Sequence, residues 1–245
     1  MKKISVTLFF ILFCLTLAAG AQTRWLHDFE GTVGTAKIGL TLSSTETGKF
    51  ERGDDVGCSY FYVSQLKDIA LKCSIDRNGN FTFKELDERG KTRAVFKGKF
   101  LQNQIDRAEG TWTRAGEARS LPFKMRFFQG VGAENGNRYA QIEAKDPAKF
   151  EAMVRDFRSA VISGNKQKAV AQIKYPISVS VDGKRVRVRT KAAMLTYYDR
   201  VFTKEFIADL SKTVPHNMFA KYTGAMLGSG IIWFWGDGKV IAINN

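Results

Sequence analysis

The side chains able to do chemistry in this chain are few and scattered. Its two histidines, His27 and His216, lie far apart in the sequence, and neither has a ligand-type neighbour at metal-binding spacing. There is no G-x-S-x-G elbow, H-E-x-x-H helix or P-loop, and Ser229 in Gly228-Ser229-Gly230 falls short of an elbow context. Tyr197, Tyr198, Asp199 and His216 would supply a general base if the fold brought them into one pocket. The ordinary reading of His216, next to Pro215, is a surface loop histidine. Asp76-x-Asn78-x-Asn80 imitates the start of a calcium loop, with Asp87 at its twelfth position. Phe81 stands where the sharp turn needs glycine and Lys84 at the ninth position repels a cation, so calcium is rejected there. No catalytic residue, metal ligand or cofactor is assigned.

Binding chemistry has a better claim. Asp182-Gly183 is a type I′ hairpin dipeptide that sets Val179 against Val186 and Ile177 against Val188. The opposite face then carries Arg185, Arg187 and Arg189 at period two, flanked by Lys184 and Lys191. Like charges in a row repel, and guanidinium suits bidentate capture of phosphate or carboxylate, so this stripe is a candidate anion site. The plain alternative is a solvated strand face.

Lys2 and Lys3 precede the apolar run Ile4–Leu17, and Ala19-Gly20-Ala21 follows as a cleavage site. Residues 1–21 therefore read as a secretory signal peptide, with the mature chain starting at Gln22. Phe13 before Cys14 argues against a lipoprotein. A periplasmic or secreted location follows, and no later run is long and apolar enough to span a membrane. Loss of Lys2 and Lys3 lowers the formal charge from +14 to +12, so anionic partners are expected. Cys58 and Cys73 remain as an even pair in an oxidising compartment. A hairpin with the loop Ser64–Lys67 places Cys58 directly opposite Cys73 and predicts a disulfide.

The elements that must position these groups divide in two. Over residues 22–129, short alternating runs such as Ile38-x-Leu40-x-Leu42, Phe81-x-Phe83 and Leu121-x-Phe123-x-Met125-x-Phe127 are cut by regular turn signals. They predict an antiparallel barrel or sandwich. Arg77-Asn78-Gly79 is read as a three-residue hairpin pairing Phe81 with Ile75 and Phe83 with Cys73, which turns Glu85 inward beside Leu71 as a minor site candidate. Residues 130–144 read as a linker, because Gln129–Asn137 is rich in Gly and Asn and lacks periodicity.

Residues 145–245 predict an α+β module. Asp146-Pro147 opens a helix with Phe150, Met153, Val154, Phe157 and Val161 on one stripe, ended by Gly164. Asn165, Thr190 and Thr203 start further helices, and Ile231–Trp235 and Lys239–Ile243 form a closing hairpin. That hairpin is apolar on both faces, so it is expected to be covered on both, by helices and by another domain or a second copy in a homodimer.

Tyr197–Thr203, Ala225-Met226-Leu227-Gly228-Ser229-Gly230, Trp233-Phe234 and Lys239–Asn244 resemble exported bacterial members of the nuclear transport factor two-like superfamily. The resemblance implies a cone of curved sheet around helices over residues 145–245. It also implies an acid before the Trp-Phe pair, where this chain has Ile231-Ile232, which weakens the case for a catalytic carboxylate. Ser59-Tyr60-Phe61-Tyr62, Ile69-x-Leu71 and Gly110-Thr111-Trp112 resemble an envelope β-barrel module. Three functions follow. The first is a non-catalytic envelope binding or accessory protein with an anionic ligand or protein partner. The second is a hydrolase or isomerase using Asp199 or His216, and the third an inhibitor or immunity-type protein. Poverty of catalytic groups ranks the first above the second.

Overall fold

The computed structural model describes residues 23–45, 53–101 and 106–245. The expected signal peptide lies outside the described residues. Eight antiparallel strands close into an up-and-down barrel: β1 (Thr23–Val33), β2 (Ala36–Ser44), β3 (Gly53–Tyr62), β4 (Ile69–Ile75), β5 (Asn80–Leu86), β6 (Thr92–Phe100), β7 (Arg107–Arg114) and β8 (Ser120–Glu134). Each strand pairs with the next and β8 returns to β1, so no edge is left open. The alternating apolar residues point inward, and Phe83, Phe96 and Phe123 are fully buried among them. Gly98 and Gly110 face each other across β6 and β7; a Cβ on either would run into the neighbouring strand's backbone. Glycine there lets the two strands bend around the core.

The hairpin at Arg77-Asn78-Gly79 has the predicted register, with Phe81 opposite Ile75, Phe83 opposite Cys73 and Glu85 opposite Leu71. Gly79 takes a left-handed φ of 79°, and the Asp76 carboxylate accepts from the backbone N–H groups of Asn78 and Asn80, each at 2.8 Å. The calcium-like pattern is thus a turn-capping device. Glu85 is buried and accepts a hydrogen bond from Tyr60 Oη at 2.7 Å.

Between β3 and β4 the register differs from the simple hairpin. Tyr60, not Tyr62, pairs with Ile69, so Cys58 faces Leu71 and Val56 faces Cys73. The connection is longer because Leu66 is left-handed, at φ 52°, and the Tyr62 carbonyl accepts from both Gln65 and Leu66. A shift of two keeps every side chain on its face. Cys58 and Cys73 remain diagonal neighbours and are disulfide-bonded, with Cα atoms 6.3 Å apart.

The second half holds its own apolar core. It comprises α1 (Pro147–Ile162), α2 (Lys166–Ala171), β9 (Ile177–Val181), β10 (Lys184–Val188), α3 (Lys191–Val201), α4 (Lys204–Ser211), β11 (Phe219–Lys221), β12 (Gly224–Leu227), β13 (Ile232–Phe234) and β14 (Val240–Ile243). All four helices are capped as expected: Asp146, Asn165, Thr190 and Thr203 each accept from the N–H three residues on. β9 and β10 form a two-stranded ribbon, and β11 to β14 form a four-stranded antiparallel sheet. β11 and β12 were not foreseen, because three- and four-residue strands carry too little alternation to stand out.

One expectation needs correction. Gln129–Glu134 is not a loop but the last six residues of β8, paired with β1 as far as Thr23. The glycines serve the strand: a bulge at Phe128 breaks the alternation, which is why no period is visible. Within the single chain, one face of the closing hairpin is buried and the other is half-covered. Ile232, Phe234, Val240 and Ile243 are buried, whereas Ile231, Trp233, Trp235, Ile241 and Ala242 are half-buried. Among the described residues, no helix is long and apolar enough to cross a membrane.

Candidate functional site

The site begins with the outer face of the barrel where β2, β1, β8 and β7 lie side by side. Alternation exposes Lys37 on β2, Lys124 and Arg126 on β8, and Arg107 on β7, and turns half-buried Thr32 and Glu30 on β1 to the same face. Register puts Thr32 between Lys37 and Lys124, and Arg126 between Glu30 and Arg107. Arg126 is ion-paired with Glu30. Lys37, Arg107 and Lys124 have no acidic partner among the described residues.

One turn along the same face the polar groups become buried. Asp28 on β1 is 6 % exposed and faces Arg138, which follows β8 and is 5 % exposed. Their contact is bidentate, Nη1 to Oδ2 at 2.7 Å and Nη2 to Oδ1 at 3.0 Å. Thr41 Oγ1 donates to Asp28 Oδ1 at 2.7 Å, and Gln129 Nε2 donates to Oδ2 at 2.9 Å. Burial alone would raise the Asp28 pKa; Arg138, with the hydrogen bonds from Gln129 and Thr41, outweighs it and holds the carboxyl below its usual range. Arg138 and Gln129 also donate to the Asn217 carbonyl, each at 2.9 Å. The barrel is thereby fastened to the segment before β11.

A second buried cluster completes the junction. His216 Nδ1 donates to Glu151 Oε2 at 2.5 Å, and its Nε2 lies 3.2 Å from Asp68 Oδ1, an ion-pair contact rather than an aligned hydrogen bond. Burial opposes protonation of His216, but the carboxylates of Asp68 and Glu151 raise its pKa to about 9. Glu151 Oε1 also accepts from Tyr139 Oη at 2.6 Å and from the Asn217 N–H at 2.8 Å. The Phe61 ring packs edge-on against His216 with centroids 4.5 Å apart. Phe61 lies over Gly39, its neighbour across the sheet, where any Cβ would collide with the ring.

Between the barrel face and the C-terminal half lies a cleft of about 710 Å³. Its barrel wall is the cationic face described above; its other wall comes from Lys212–Val214, His216–Phe219, Met226, Gly228 and Ser229. Val214, Phe219 and Met226 line it as half-buried apolar side chains. Phe128, which the β8 bulge pushes outward, stands at the mouth and is 51 % exposed. The Asp28 charge is cancelled by Arg138, so the lining is apolar with a net positive rim.

The residues singled out from the sequence do not converge. His216 is buried at the base of this cleft, not on a surface loop, and its protonated ring is clasped by two acids. With two carboxylates beside it raising its pKa to about 9, this imidazole is poorly matched to base catalysis at neutral pH. Asp199 lines a different, shallower depression, is exposed and pairs with Lys166 Nζ at 2.6 Å. Tyr198 belongs to the C-terminal core, with its pKa pushed up to about 12 by burial and by the neighbouring Asp199. Arg185, Arg187 and Arg189 are exposed, in the predicted hairpin register, and none of them lines the cleft. Glu151 was missed because it interrupts the apolar stripe of α1. Asp28 and Arg138 were missed because their pairing spans 110 residues and leaves no local pattern. Among the described residues, no group of three or more His, Cys, Asp or Glu side chains is placed to hold a metal ion.

Compared with protein-family models, with curated proteins and with solved structures, the chain matches none of them.

Proposed function

We propose that the protein is an exported, non-catalytic binding protein of the bacterial envelope that takes an anionic, partly apolar ligand in the cleft between the barrel and the C-terminal half. The observation that carries this reading is the cleft's composition: apolar Val214, Phe219 and Met226 on one wall, and on the other Lys37, Lys124 and Arg107, which have no acidic partner among the described residues. Its volume lies within the range of small-molecule sites. A ligand with a carboxylate or phosphate head and an apolar body satisfies both walls at once. Reading residues 145–245 as a cone of curved sheet around helices belongs to the same proposal. It is supported by four helices packed in one core with a four-stranded sheet. Export is supported by the basic and apolar pattern of residues 1–21 and by the Cys58–Cys73 disulfide.

Less supports the enzyme reading: His216 is flanked by two carboxylates that raise its pKa, and Asp199 pairs with Lys166 outside the cleft. The test is fluorescence titration with dansyl-labelled undecanoic acid, displaced by decanoate and, as an uncharged control, by decanol. Decanoate should displace the probe and decanol should do so far less well. Ser229→Trp, at an exposed position on the cleft wall, should abolish binding by filling the space. Lys124→Ser with Lys37→Ser should weaken decanoate about tenfold. Binding that survives Ser229→Trp unchanged would place the ligand elsewhere.

A further inference from the structure

The mouth of the cleft carries a feature that ligand binding alone does not require. Phe128 is the extra residue of the β8 bulge, and bulges of this kind turn a side chain away from the strand's regular faces. It is 51 % exposed, and Phe127 beside it is 38 % exposed. Leu101, 41 % exposed, sits two strands over: its N–H bonds to the Arg107 carbonyl, and Arg107 pairs with Arg126 next to Phe127. Two of the six large apolar side chains exposed among the described residues, Phe128 and Leu101, thus lie at one end of the barrel wall, beside the partly exposed Phe127, whose ring packs on Phe29.

Cations lie along one side of them, and Asp106 stands next to Phe127. Register across the same face runs Lys99, Glu109, Lys124, Thr32, Lys37 in one row and Arg107, Arg126, Glu30 in the next. Five basic side chains meet two acidic ones, and Glu30 is already engaged by Arg126. Aromatic and aliphatic side chains that protrude from a basic surface match the interface of an anionic bilayer. Rings partition at head-group depth, while Lys and Arg gain on the order of 1 kcal/mol each near acidic lipid. A soluble polyanion would use the cations and gain nothing from Phe128.

We propose that this end of the barrel, with Phe128 and Leu101 at its apex, docks on an anionic phospholipid bilayer. Docking would turn the mouth of the cleft toward the membrane; this orientation matters to ligand capture only if the cleft reading above holds, but docking itself does not depend on that reading.

The experiment is co-sedimentation of the purified full chain with vesicles of phosphatidylcholine alone or mixed with phosphatidylglycerol, at low and high salt. The wild type should sediment with the mixed vesicles at low salt and not with the neutral ones. Phe128→Ser with Leu101→Ser removes exposed apolar surface without touching the core and should weaken vesicle binding about tenfold. Arg107→Ser with Lys124→Ser should weaken it further and flatten its salt dependence. Far-ultraviolet circular dichroism of each variant should match the wild type. No binding by the wild type, or equal binding by Phe128→Ser/Leu101→Ser, overturns the proposal; the second result would mean adsorption by charge alone. Decanoate titration of the single Leu101→Ser variant, whose side chain does not line the cleft, separates the two ideas. Retained decanoate affinity with lost vesicle binding supports docking, whereas wild-type vesicle binding without decanoate affinity sinks only the cleft.

Discussion

Replacing Asp28 by Asn is the sharpest test of what joins the two halves. The carboxylate accepts four hydrogen bonds, from Thr41 at 2.7 Å, Gln129 at 2.9 Å and Arg138 at 2.7 and 3.0 Å. Asparagine keeps the volume, removes the charge and points an N–H₂ at groups that are themselves donors. The Arg138 guanidinium, only 6 % exposed, is then left with the carbonyls of Asn217 and Met218. Removing one partner of a buried ion pair costs about 3–5 kcal/mol, because the other charge stays desolvated and uncompensated. Asp28→Asn should therefore lose about that much, measured by urea unfolding at neutral pH with coincident fluorescence and circular dichroism transitions. Asp28→Leu combined with Arg138→Met removes both charges and should recover most of the loss. A cost below about 1 kcal/mol, the size of a surface pair, would refute the claim that this contact is buried and structural. So would a double variant no more stable than the single one.

The remaining expectations are briefer. Because the folded-state pKa of His216 is raised from 6.5 to about 9, its contribution is complete below pH 6.5 and fades as pH rises through 9. With Asp68 nearly half exposed, the loss should be on the order of 1–3 kcal/mol in urea unfolding across that window. His216→Gln should be less stable at neutral pH and show a flatter profile. Reduction of Cys58–Cys73, or Cys58→Ser with Cys73→Ser, should cost about 3 kcal/mol from the freed loop, read as a lower urea midpoint. Replacing Arg185, Arg187 and Arg189 together by Ser should leave decanoate affinity unchanged, since none lines the cleft; a tenfold loss would move the anion site to β10.

Much of the local architecture is legible in the residues alone. Alternation along Ile38–Leu42 and Leu121–Phe127 specifies which face of a strand is buried, because side chains on a strand point alternately to either side. Asp146, Asn165, Thr190 and Thr203 announce their helices, because a capping oxygen acts on an N–H only three residues away. Arg77-Asn78-Gly79 and Asp182-Gly183 set the register of their hairpins through turn geometry. Cys58 and Cys73 could be paired even with the register displaced by two, since such a shift leaves both on the same face.

The junction was decided by the tertiary structure. A short signal spans a few residues, whereas Asp28 meets Arg138 across 110 positions and Glu151 meets His216 across 65. A buried acid looks the same in a sequence as an exposed one until its partner is known. The bulge at Phe128 hid the last part of β8 by interrupting the alternation that reveals a strand, and the longer β3–β4 connection carried Asp68 across to His216. Residue types and spacing determined the barrel strands, the helices and the disulfide, because the forces that set them act within one turn or one strand pair. The cleft exists only because two separately built cores were brought together, and burial of charge at their contact, not any motif, determines which side chains face it.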